Sequence, residues 1–170
     1  MGRVADWLFR LLGAVPPNEM AGAQLEGPIW EVAYEGVDHA AFIRHLPTLV
    51  QDGGVLVLEG GSPGEGLQAF LNDHALPAEV AVARGTIRPR AGVVHLPISE
   101  RIMSALAGHA EHAAYPELCI HLHAYAAGRL VMQWYDAFSA PCWLSQEIPE
   151  VQVRAFCSEV QTSFKAVPAL

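Results

Sequence analysis

Residues 117–136, ELCIHLHAYAAGRLVMQWYD, constrain the fold more than any other stretch, because alternating side chains run up to and away from a glycine-bearing turn. A period of two sends every second side chain to one face, the signature of a half-buried strand. The spacing predicts an antiparallel hairpin over about 118–136, with Ala126-Ala127-Gly128 as a three-residue loop and Gly128 at the position of positive φ. Counting outward pairs Tyr125 with Arg129, Ala124 with Leu130, Leu122 with Met132 and Ile120 with Trp134. Leu122, Leu130, Met132 and Trp134 then point to the core. The opposite face carries Cys119, His121, His123 and Tyr125 from one strand, with Val131, Gln133 and Tyr135 from the other.

Two imidazoles two positions apart on a strand can reach one ion, so His121 and His123, with Cys119 as a softer donor, form a candidate site for Zn, Fe, Ni or Cu. His109 and His112, three apart on a predicted helix, and His95 near a strand end, offer further donors. No recognised spacing ties these groups together. His109 also falls on the apolar stripe of Ile102 and Leu106, where a hydrogen-bonded core histidine is the ordinary explanation. Solvent-facing imidazoles beside Tyr125 and Gln133 account for the hairpin pattern without a metal.

Upstream, Trp30, Val32 and Tyr34 alternate with Glu31, Ala33 and Glu35, which predicts a first strand from Ile29. Asp38 then caps a helix carrying Phe42, Leu46 and Leu49, with Pro47 shortening or kinking it. Val55 to Leu58 is a continuous apolar run, the pattern of a central strand covered on both faces. Strand, helix and strand in this order predict a right-handed parallel crossover. A helix over Leu67 to Leu71, strands near Glu79–Arg84 and Val93–Leu96, a helix opened by Ser99, and a last helix from Pro149 with the stripe Val153, Phe156, Cys157, Val160 and Phe164 complete the body. The expected fold is α/β or α+β: a mixed sheet of about five or six strands, with an N-terminal parallel βαβ unit, the C-terminal hairpin and flanking helices.

The segment MGRVADWLFRLLGAV has Asp6 and Arg10 inside its apolar run, which argues against a signal peptide. Val4, Trp7, Leu8, Leu11, Leu12 and Val15 repeat at helical spacing instead, so residues 1–15 read as an amphipathic helix, 16–28 as a linker and 29–170 as one globular domain. The polar side of that helix lacks the cationic excess of a membrane-surface helix.

Glu59 ends the apolar strand and opens the loop Glu59-Gly60-Gly61-Ser62-Pro63-Gly64-Glu65-Gly66. A glycine-rich loop between strand and helix is a place where phosphates or other small ligands bind, but the spacing matches neither GxGxxG nor GxxxxGK[ST]. Ser62, Pro63 and Glu65 also read as a capping box, with Ser62 as the N-cap. The one basic cluster, ARGTIRPR, places Arg84 and Arg88 where they can meet a carboxylate or phosphate. Glu59, Arg84 and Arg88 are therefore the candidate ligand-binding residues, gathered at the carboxyl end of the central strand.

A formal charge of -8 with 10 basic residues disfavours binding to a nucleic-acid backbone. No run approaches the roughly 18 apolar residues a membrane span needs. Three cysteines, Cys119, Cys142 and Cys157, without a CxxC pair, fit buried thiols in a reducing cytoplasm. GxSxG and the local signatures of cysteine nucleophiles are missing, and no pattern calls for a cofactor. The sequence thus points first to a small, cytoplasmic, non-catalytic interaction or regulatory protein. Trp134, Tyr135, Phe138 and Trp143 would be its contact aromatics, with a protein partner or a second copy as the counterpart. The alternatives are a metal-dependent enzyme built on His121 and His123, and small-ligand binding at the 59–66 loop with Arg84 and Arg88.

Overall fold

The computed structural model describes residues 23–50, 53–77, 80 and 91–168. The expected helix over 1–15, most of the linker, the strand near Glu79–Arg84, and Arg84 and Arg88 themselves lie outside the described residues.

Among the described residues seven strands form one sheet: β1 Ile29–Val32, β2 Val55–Glu59, β3 Val93–Pro97, β4 His121–Ala126, β5 Arg129–Trp134, β6 Cys142–Ser145 and β7 Phe164–Val167. Their order is β3-β2-β4-β5-β6-β1-β7, and every neighbouring pair is antiparallel. The described helices are α1 His39–Leu49, α2 Glu65–His74, α3 Glu100–Ala110, α4 Tyr115–Leu118 and α5 Glu150–Glu159.

This corrects the expected mixed sheet with a parallel βαβ unit. Four antiparallel steps separate β2 from β1, so the two strands do run in the same direction, as a strand-helix-strand segment requires. They are not neighbours, because β4, β5 and β6 lie between them. The amphipathic helix α1 fixes a crossover over one face of the sheet. It does not fix how many strands that crossover spans, and later strands filled the gap.

Helix starts follow local chemistry. Asp38 Oδ1 accepts the amide of Ala41 at 2.7 Å, and Ser99 Oγ accepts that of Ile102, so α1 and α3 begin where a side chain satisfies an orphan donor. The expected Ser62 cap is overturned: α2 starts at Glu65 after Gly64, with no side-chain cap. The Ser62 amide instead donates to the Pro116 carbonyl, which holds that residue in the preceding loop. The last helix stops at Glu159, and Phe164 belongs to β7 rather than to the helical stripe.

The core lies between the helices and one sheet face. Phe42, Ile43 and Leu46 of α1, Met103 and Leu106 of α3, and Phe156 of α5 pack on Leu56, Leu58, Leu122, Met132, Trp134 and Leu144. Phe42 meets both Trp134 and Phe156 ring to ring, at 4.5 Å and 5.0 Å. Burial of these large side chains supplies the main driving force, at roughly 1.5–3 kcal/mol each.

The hairpin is antiparallel, but its expected register is corrected. Ala127 and Gly128 both have positive φ and form a two-residue turn, so Ala126 pairs with Arg129 and Tyr125 with Leu130. A bulge between Ala124 and Tyr125 then shifts the ladder, pairing Ala124 with Met132 and Leu122 with Trp134. Beyond the bulge, Leu130 leaves the core face and Val131 joins it.

Candidate functional site

Strand alternation puts a row of polar groups on the sheet face opposite the helices. Val57 of β2 pairs with His95 on one side and His123 on the other, and Glu59 pairs with His121. Glu59, His95, His121, His123 and Gln133 are all buried. The expected solvent-facing imidazoles are thereby corrected: His121 and His123 are out of solvent, because β4 is an interior strand flanked by β2 and β5 and the face they share with Glu59 and Gln133 is buried.

Two residues from separate sequence-based candidates meet here. His123 Nε2 lies 4.0 Å from Glu59 Oε2, and neither side chain is exposed. His121 sits 6.2 Å from His123, ring centre to ring centre. The Tyr135 ring stands edge-on to both imidazoles, at 5.0 Å and 5.3 Å, and its hydroxyl accepts a 2.8 Å hydrogen bond from Gln133 Nε2. The Leu25 amide donates to Gln133 Oε1 at 3.5 Å.

The Asp136 amide donates to His121 Nδ1 at 3.0 Å, so neutral His121 carries its proton on Nε2 and offers a donor there. Burial lowers the His121 pKa, partly offset by the Asp136 carboxylate and the Ile120 backbone, and burial also lowers that of His95. Asp136 and Phe138 both adopt positive φ, a costly conformation for residues with side chains. The turn is held by the His121 contact, by the Ala137 amide on the Ile120 carbonyl, and by the Trp134 indole on the Ala140 carbonyl.

Cys119 does not join His121 and His123. It lies just before β4 begins, where alternation does not yet apply, and it is packed into the helix-side core with its thiol pushed up to about 12 by burial. Among the described residues, no group of three or more His, Cys, Asp or Glu side chains has the placement needed to hold a metal ion. His109 is elsewhere, tilted against Phe70 at 5.1 Å.

A second feature lies at the carboxyl end of β2, on the helix side. A cleft of about 390 Å³ is lined by Leu58, Gly60, Gly61, Pro63, Gln68, Leu71, Ala91 to Val94, Leu118 and Ile120. Gly60 and Gly61 both have positive φ. A Cβ on Gly61 would lie 2.9 Å from the Leu118 carbonyl oxygen, and one on Gly60 would lie 3.0 Å from Ile120 Cδ1, so only glycine allows the loop to run this close to residues 117–120. The Gly60 amide is tied to the Gly92 carbonyl at 2.9 Å, and the Ile120 amide to the Glu59 carbonyl at 3.0 Å. The expected grouping of Glu59 with its loop therefore divides: the glycines wall the cleft while the Glu59 side chain turns to the opposite face.

Sequence reasoning did not group Ala91–Val94, Leu118 and Ile120 with the loop. Their approach depends on β3 and β4 flanking β2, which no local pattern encodes. Of the expected contact aromatics, Trp134 and Phe138 are buried and Tyr135 is half-buried, leaving Trp143 exposed. No helix among the described residues is long and apolar enough to cross a membrane. No protein-family model, curated protein or solved structure matches the chain.

Proposed function

We propose that this protein binds a small, largely apolar molecule in the cleft beyond β2, as a cytoplasmic binding or regulatory protein rather than through chemistry at that cleft. The observation that carries this reading is the cleft itself. Its lining is mostly aliphatic side chains and glycine backbone, with Gln68 the one polar side chain among the described lining residues. Pockets of a few hundred Å³ with apolar walls and few polar groups are the usual form of small-molecule sites.

None of the described lining side chains is titratable, so the cleft offers no general acid, base or nucleophile among them. That favours binding over turnover. Cys119, Cys142 and Cys157 are buried free thiols, which fits a reducing compartment.

The test is a thermal-shift screen of small apolar and amphipathic compounds against the wild type and Ala91→Trp, a substitution that fills the rim of the cleft without removing a core group. Compounds that raise the melting temperature of the wild type and lose that effect in the variant support the reading. Compounds that stabilise both proteins equally place binding elsewhere and contradict it.

A further inference from the structure

The strand ends that wall the cleft are the same ones that carry the buried polar row. Leu58 of β2 and Gly60 just after it line the cleft, and Glu59 between them pairs with His121 on the polar row. Ile120 lines the cleft and directly precedes His121, while Val94 lines it and directly precedes His95. Leu58 and Glu59 in β2, and Val94 and His95 in β3, are adjacent positions within a strand, so alternation sets the cleft and the polar row on opposite faces of a single layer of backbone there.

We propose that the Glu59–His121–His123 row is a proton-operated control on the cleft, so that proton uptake on one face of the sheet alters the ligand site on the other. The inference rests on the ligand-binding reading for its consequence, but not for its measurement. The step is gain of a proton from solvent water by this row, or its return, and no bond other than N–H or O–H changes.

Geometry makes the coupling direct. Glu59 Oε2 and His123 Nε2 stand 4.0 Å apart, beyond hydrogen-bond length yet out of solvent. In such surroundings a change of one charge alters the force between the two groups far more than it would in water. The Glu59 backbone is bonded to Ile120 through its own carbonyl and is followed at once by the Gly60–Gly92 bond, so a shift of Glu59 that reaches its backbone is passed to these residues. Those bonds run along the cleft wall.

Among the described residues, the titratable groups facing the pair are His121 on β4, Tyr135 just after β5 and, across Val57, His95 on β3. Tyr125 lies one same-face position further along β4, and exposed Asp136 reaches His121 Nδ1 at 4.0 Å. Burial lowers the pKa of His121 and of His95, so both imidazoles resist charging relative to an exposed histidine.

The test needs no ligand. The methyl signals of Leu71 and Leu118, which line the cleft, are followed by NMR together with the ring protons of His121 and His123 from about pH 8 to 5, the range in which histidine ordinarily titrates. The proposal expects the methyls to shift along the same curve and midpoint as an imidazole of the row. In Glu59→Gln, which keeps the shape but removes the carboxylate, that midpoint is displaced or the methyl shift is lost. Methyls that stay still while the imidazoles titrate overturn the proposal, as does a row that takes up no proton in this range or an unchanged curve in Glu59→Gln. The wild-type curves decide the matter even if that variant does not fold, and His121→Asn provides a second comparison. A compound screen that fails would sink the ligand reading and leave this result standing.

Discussion

Glu59 and His123 face each other across the β2–β4 ladder, with Oε2 and Nε2 4.0 Å apart and neither side chain open to solvent. A buried polar pair of this kind is costly to break from one side and much less costly to replace as a unit. Glu59→Leu and His123→Leu are each expected to destabilise the protein by about 1–3 kcal/mol, because the surviving polar partner stays buried. The double variant is expected to lose at least about 1 kcal/mol less than the sum of the two single losses. Urea unfolding of the four proteins checks this, and strict additivity would show that the two groups do not interact.

Glycines divide by what surrounds them. Gly61→Ala is expected to cost about 1–3 kcal/mol, since φ is +99° and the new Cβ would press on the Leu118 carbonyl. Gly66 and Gly108 lie in α2 and α3 with open space around them, so Gly66→Ala and Gly108→Ala are each expected to stabilise by about 0.5–1 kcal/mol. Melting temperatures that move in opposite directions for the two classes would bear this out.

Helix starts offer an equally sharp contrast. Asp38→Ala is expected to cost about 1 kcal/mol, because Asp38 Oδ1 accepts the Ala41 amide at 2.7 Å. Ser62→Ala is expected to change stability by no more than about 0.5 kcal/mol, since the exposed side chain caps no helix and only its backbone is engaged. A Ser62 loss as large as that of Asp38 would contradict the helix start at Glu65.

Stability should fall in mild acid. His121 and His95 titrate below the ordinary histidine value in the folded protein, whereas the unfolded chain takes up protons near pH 6.5. Below about pH 6.5 the unfolded state therefore binds more protons, and stability decreases as pH drops towards the folded values. Thermal melts from about pH 8 to 5 are expected to show this slope, and His121→Asn is expected to reduce it. A melting temperature that rises on acidification would reverse the sign and defeat the argument.

Part of this architecture is legible in the chain. The period of two around Gly128, the caps at Asp38 and Ser99, and the apolar run at Val55–Leu58 each carry a local cause, and each appears as a hairpin, a helix start or a central strand. The sheet order does not, because β1 and β2 satisfy the same direction whether adjacent or three strands apart. Strands β6 and β7 are four residues each, too short to show alternation clearly against their surroundings. The candidate site was legible only as fragments: Glu59 in one motif and His121 and His123 in another. Cross-strand register joined them, and the same alternation separated Glu59 from its own loop.

The measurement that tests the central claim most directly is the set of intermolecular NOEs between a stabilising compound and the methyl-labelled protein. Binding in the cleft is expected to give contacts to Leu71, Leu118, Ile120 and Val94, and to lose them in Ala91→Trp. Contacts confined to residues away from the end of β2 would contradict the account.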